Sequence, residues 1–256
     1  MRKLIYAAMF AASLVGGATA QTYPTRPITI IAPFPAGGPL DGIARVLDES
    51  IHASLGQPVV VENVAGAGGN LGIGRLARAT PEGYTVGIGQ WSTQVVNPVT
   101  YSLPYDVLKD FEPVAHLTIT PQLIIARKDF PAKDIKELVA WLKANPDKAT
   151  AATVGAAGGA QVSAMYFQQK TGTTFRFVPY RGGGPAILDL MAGRVDLMFD
   201  QAANAVGHVR SGSVKAYAVM SKKRWSQLPD VPAIDESGTP GLYVDYWHGM
   251  WAPKGT

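Results

Sequence analysis

Short apolar runs alternate along this chain with stretches in which apolar residues recur at helical spacing, and Gly or Pro marks most of the boundaries. Residues 28–32 (ITIIA) read as a buried strand. Residues 40–55 read as a helix that Pro39 opens and Gly56 stops. A strand over 58–62, a helix over 70–79 and a strand over 84–89 follow. The chain then loops through Asn97-Pro98 and Leu103-Pro104-Tyr105-Asp106 into an extended region, 114–126. A second set repeats the alternation. Helix 134–145 carries Ile135, Leu138, Val139 and Leu142 on one face. After it come strand 150–154, helix 160–170, strand 175–179, helix 185–192, strand 195–199, helix 202–210, strand 214–220 and strand 243–247. Such alternation predicts an α/β fold with parallel strands and helices on the sheet faces. The two sets predict two α/β lobes: residues 21–122 with 226–256, and residues 123–225. The chain is expected to cross between them near Gln122 and near Ser226. A cleft between two such lobes is a common place for a small ligand.

The first twenty residues stand outside this pattern. Arg2 and Lys3 precede an apolar run from Leu4 to Val15, and Ala18-Thr19-Ala20 supplies small residues for cleavage. This order predicts a secretory signal peptide cut after Ala20, and hence an exported, periplasmic protein. Removing Arg2 and Lys3 takes the formal charge from +4 to +2. That balance argues against a nucleic-acid partner. With no cysteine there is no disulfide, thiolate metal site or thiol nucleophile, so the fold rests on its core.

Candidate chemistry gathers at four turns that follow strands and precede helices: residues 34–38, 89–93, 155–161 and 180–184. In open α/β sheets such turns share one edge, where ligands bind. Phe34, Ala36, Gly37 and Gly38 lead into an uncapped helix start, whose free amides and dipole attract an anion. No Lys or Arg lies in that turn, which favours reversible capture of a carboxylate over phosphate chemistry. Gly158, Gly159 and Gly182 offer backbone of the same kind, and Ser92, Thr93 and Gln161 supply neutral polar groups. Ser92 or Thr93 also suits a helix cap. Asp41 suits early-helix amides, or a ligand hydroxyl or water. Asp200, ending a buried strand, suits a turn anchor or a ligand donor. Trp91 suits stacking on an apolar ligand body, or ordinary packing.

Other patterns carry nothing. Gly72-Ile73-Gly74-Arg75-Leu76-Ala77 resembles a dinucleotide fingerprint in its letters, yet it falls inside a helical pattern. The four histidines, His52, His116, His208 and His248, lack ligand spacing. No nucleophile–base pair, metal cluster or cofactor motif emerges, so no enzyme, metal or cofactor is expected.

Several runs stand out together. They are Tyr23-Pro24-Thr25-Arg26-Pro27-Ile28, Pro33-Phe34-Pro35-Ala36-Gly37-Gly38 with Asp41, and Gly56-Gln57-Pro58-Val59-Val60-Val61-Glu62-Asn63. Gly66-Ala67-Gly68-Gly69-Asn70, Val178-Pro179-Tyr180-Arg181-Gly182 and Asp196-Leu197-Met198-Phe199-Asp200 continue them. Across the mature chain these runs resemble one family, the extracytoplasmic solute receptors of tripartite tricarboxylate transporters (Bug or TctC-like proteins). The resemblance implies a periplasmic-binding-protein type II-like fold whose lobes close on a small carboxylate. It also implies delivery of that ligand to a two-subunit membrane permease, or its presentation to a sensor kinase. Two positions depart from the family. Gln94 stands where a His is common, and Ala156-Ala157-Gly158-Gly159-Ala160-Gln161 replaces a Ser/Thr-rich turn. Both imply an aliphatic or aromatic acid in preference to citrate. Family members also continue beyond Thr256 into helices that pack on the first lobe. Without them that lobe is expected to expose apolar surface and to lose stability.

Overall fold

The computed structural model describes residues 22–256; the predicted signal peptide lies outside the described residues. Nine strands form one continuous sheet. In chain order they are β1 (Ile28–Ala32), β2 (Val59–Asn63), β3 (Thr85–Gln90), β4 (Phe111–Arg127), β5 (Thr150–Val154), β6 (Arg176–Tyr180), β7 (Leu197–Gln201), β8 (Val214–Val219) and β9 (Asp245–Pro253). The helices are α1 (Pro39–Leu55), α2 (Asn70–Ala77), α3 (Asn97–Thr100), α4 (Ile135–Ala144), α5 (Gly159–Thr171), α6 (Gly183–Met191) and α7 (Ala202–Arg210). Local chemistry explains their ends. Gly56 adopts φ 71° and returns its N–H to the His52 carbonyl, which stops α1. The Asp134 side chain accepts the Glu137 N–H and starts α4.

The strand order is β2-β1-β3-β9-β4-β7-β5-β6, with β8 also paired to β4. Strands β1, β2 and β3 run parallel, as do β5, β6 and β7. The centre differs from the predicted parallel sheet, because β4, β8 and β9 pair antiparallel. β9 runs opposite to both β3 and β4, so those two strands point the same way on either side of it, with the short helix α3 in the link between them.

One strand belongs to both halves. Residues 111–121 of β4 pair with β9, and residues 122–127 pair with β7 and β8. Its second half alternates faces: Leu123 and Ile125 enter one apolar cluster, Ile124 and Ala126 another. These two clusters sandwich the sheet of the second lobe, and two smaller ones around Ile30 and Ile31 sandwich that of the first. Leu228, Val231, Ile234 and Leu242 are buried with the second lobe's clusters. The return crossing therefore lies at Val244–Asp245, where the Val244 N–H donates to the Met220 carbonyl and the Gln122 N–H donates to the Val244 carbonyl. A crossing near Ser226 does not match this packing, because the apolar residues after Ser226 are drawn into the larger core.

The Gly-rich run in α2 has a packing reason. A Cβ on Gly72 would lie 2.8 Å from Pro33 Cα and 2.9 Å from the Val64 carbonyl oxygen. The glycine lets α2 seat against the turn after β1. Among the described residues, no helix is long and apolar enough to cross a membrane.

Candidate functional site

All four turns singled out in the sequence reach one cleft between the lobes. Phe34, Pro35, Gly38, Gln90 and Ser92 line it from the first lobe. Gly159, Ala160, Gly183, Gly184, Asp200 and Gln201 line it from the second, and Tyr246 closes it from β9. Four helices begin at this cleft: α1 after Gly38, α5 after Gly158, α6 after Gly182 and α7 after Gln201. None has a side-chain cap. Each start leaves backbone N–H groups without intrahelical acceptors and places the positive end of a helix dipole at the cleft. Among the lining residues there is no Lys, Arg or His. The walls are otherwise apolar, with Phe34, Leu40, Val154 and Phe199 beside the polar groups. An anion held here is held by amides and dipoles, not by a countercharge.

The predicted site residues divide by position. Phe34, Gly38, Ser92, Gly159 and Asp200 line the cleft. Ala36 and Gly37 are exposed outside it, and the Gly37 N–H is already donated to Asp41 Oδ2 at 2.9 Å. Asp41 also accepts from Arg45 Nε at 3.1 Å. Burial pushes the Asp41 carboxyl up, but the bonds from Arg45 and Gly37 outweigh it and leave the group below its ordinary range. Asp41 thus anchors the turn into α1. Thr93 is fully buried and holds the Gln90 backbone twice, accepting from its N–H and donating to its carbonyl, both at 3.0 Å. That pair fixes the bend at which β3 meets the wide π-type turn Ser92–Val96. Gln161 Oε1 accepts the Ala157 N–H at 2.8 Å and braces the loop before α5. Gln94 lies over Gly89, away from the cleft, so its departure from the family pattern leaves the lining unchanged.

Trp91, Gly158 and Gly182 frame the cleft without lining it. Trp91 meets Tyr246 edge to face at 5.3 Å and covers the start of α5. Gly158 and Gly182 are the N-cap residues of α5 and α6. A Cβ on Gly182 would come within 2.7 Å of Pro35 Cδ in the opposite lobe, and one on Gly159 within 2.8 Å of Ser92 Cβ. The lobes close backbone against side chain at these points. Farther along the seam, the Tyr101 hydroxyl donates to the Ala156 carbonyl.

Asp200 is buried at the start of α7, where it accepts from the Gln201 N–H at 2.8 Å and Asn204 Nδ2 at 2.6 Å. Burial dominates over both bonds and pushes its carboxyl up to about 7. Tyr246 beside it is also pushed up, by burial and then by the nearby Asp200. Sequence reasoning missed Gln90, Gln201, Tyr246 and His248. Gln201 Nε2 donates to Gln90 Oε1 at 2.8 Å, and Gln90 Nε2 donates to Ser92 Oγ at 2.8 Å. His248 Nε2 lies 3.0 Å from Gln201 Oε1. Gln90 and His248 are register partners in the β3–β9 pair, a neighbour relation that no local motif announces.

Residues 43–256 match the family described as tripartite tricarboxylate transporter family receptor. The chain belongs to this family. It is 36% identical to protein BugT of Bordetella pertussis over 247 residues, which is 96% of this chain and 76% of BugT. The structure of MatC from Rhodopseudomonas palustris with bound malate superposes with a TM-score of 0.86 at 39% identity, over 91% of this chain and 80% of that one. A second R. palustris protein, solved with adipate, gives 0.89 at 31% identity, over 91% of this chain and 79% of that one. The two-lobe periplasmic-binding-protein fold and a receptor role, not an enzymatic one, follow from family membership.

Proposed function

We propose that this receptor captures a small aliphatic carboxylate between its lobes in the periplasm and delivers it to the membrane permease of a tripartite tricarboxylate transporter. The observation that carries this reading is the convergence of four uncapped helix starts on an apolar-walled cleft without a cation. Amides at helix starts hold a carboxylate firmly enough for selection, and without a buried ion pair release stays fast. The walls of Phe34, Leu40, Val154 and Phe199 suit methylenes better than the hydroxyl and third carboxylate of citrate. Relatives of the same fold solved with malate and with adipate support the ligand class.

A thermal-shift panel of succinate, malate, adipate, benzoate and citrate tests it. A ligand at about a hundred times its dissociation constant adds about 2.7 kcal/mol to stability. For a protein of this size that raises the midpoint by about 5–10 °C. The expected order places succinate or adipate well above citrate. A larger shift with citrate, or none with any acid, would contradict the reading.

A further inference from the structure

The four side chains His248, Gln201, Gln90 and Ser92 form one hydrogen-bonded file that begins in the buried β9 strand and ends in the cleft. All four are nearly or fully buried, at 0%, 8%, 4% and 5% exposure. The file crosses between lobes, because Gln201 belongs to β7 while Gln90 and His248 sit opposite each other in β3 and β9. A side-chain amide has one accepting and one donating end, so each Gln passes a direction to the next. With the proton on His248 Nε2, the ring donates to Gln201 Oε1, Gln201 Nε2 donates to Gln90 Oε1, and Gln90 Nε2 donates to Ser92 Oγ. Ser92 Oγ then accepts from inside the protein. Among the described residues its own hydrogen has no other partner, and it is left for the cleft. With the proton on Nδ1 every amide would turn over, and Ser92 would donate inward and show only lone pairs.

The amide ends select between these directions. Gln201 Oε1, which can only accept, faces His248 Nε2, so the ring proton sits on Nε2, and Gln201 Nε2 and Gln90 Nε2 donate onward to Gln90 Oε1 and Ser92 Oγ. Burial also drives the ring down to about 4, with the Thr118 backbone opposing it, so the imidazole is neutral and a single tautomer decides the polarity.

We propose that His248 is a positioning residue that never touches the ligand. Through Gln201 and Gln90 it fixes Ser92 as a hydrogen-bond donor, and thereby sets the preference of the cleft for a carboxylate over the uncharged amide of the same shape. This rests on the carboxylate reading above, and its first test does not. In protein labelled with ¹⁵N-histidine and free of ligand, two-bond ¹H–¹⁵N correlation spectra are expected to show His248 as the Nε2–H tautomer. An Nδ1–H tautomer overturns the proposal whatever the cleft binds.

The second test compares adipate with adipamide by calorimetry. His248→Leu removes the donor and is expected to lower the preference for adipate roughly tenfold, the worth of one hydrogen bond to a charged group. His248→Gln restores a donor at the Nε2 position and is expected to keep the preference, which a purely packing role would not predict. Unchanged preference in both variants overturns the relay. Binding of no acid by the unaltered protein counts against the carboxylate reading alone, because the tautomer still decides the relay.

Discussion

Asp200 shows how a single residue links pH to both stability and affinity. Its folded pKa of about 7 lies above the ordinary 3.8 because burial disfavours the charged form. The stabilising contribution of the protonated carboxyl is therefore complete below about pH 4 and is lost as pH rises through 7. Asp200→Asn keeps an acceptor for the Gln201 N–H and cannot ionise. It is expected to match the unaltered protein near pH 4 and to exceed it at pH 8 by about 1–3 kcal/mol, in line with removing a poorly compensated buried charge. Chemical denaturation at the two pH values reads this directly. A diacid is also expected to bind the unaltered protein more tightly at pH 6 than at pH 8, because an ionised Asp200 repels it. Equal affinities at both pH values would place the ligand away from Asp200. None of this was legible beyond the placement of Asp200 at a strand end. Its burial depends on Tyr246 and on the opposite lobe, which join it only through the tertiary fold.

At the scale of elements, the helix starts were the most legible feature. Pro39, Gly56, Asp134 and Gly172 carry their signals within a few residues, and α1, α4 and α5 begin and end within two residues of where those signals put them. The central pairing was not legible. β9 joins β3 and β4 across more than a hundred residues, and apolar strand patterns do not name their neighbours. That hidden pairing is also what concealed Gln90 and His248 as partners. The glycines at helix starts have a second role that only the closed lobes reveal. Gly182 has an extended backbone, φ −175°, which any residue adopts, so its constraint is the approach of Pro35 and not conformation. Gly182 is buried in the seam, and Gly182→Ala is expected to leave the melting midpoint of the ligand-free protein within about 2 °C, since with the lobes parted the added methyl faces solvent, where substitutions cost little. The added methyl overpacks the closed seam, an effect of about 1–3 kcal/mol. Carboxylate affinity should fall about tenfold by titration. A drop in stability with unchanged affinity would mean that the seam stays as closed without ligand as with it.

In the whole molecule a split fold carries a site without cations on its wall. Two lobes share β4, which changes partners at Pro121–Gln122, and the chain returns at Val244–Asp245. The two crossings lie side by side, where the Gln122 N–H donates to the Val244 carbonyl, and the helix starts face each other across the seam between the lobes. The two-lobe α/β plan and the four turns were readable from strand and helix periodicity. The return crossing was not, because Leu228, Val231 and Ile234 carry no mark of which core they enter. The proposed selection of a carboxylate rests on backbone amides and a polar file, with no Lys, Arg or His on the cleft wall. Calorimetric titration with adipate and with adipamide at pH 6 tests it most directly. Adipate is expected to bind at one per chain with a negative heat-capacity change from closing apolar walls on the methylenes, and adipamide at least roughly tenfold more weakly. Equal affinity for the acid and its diamide would contradict it.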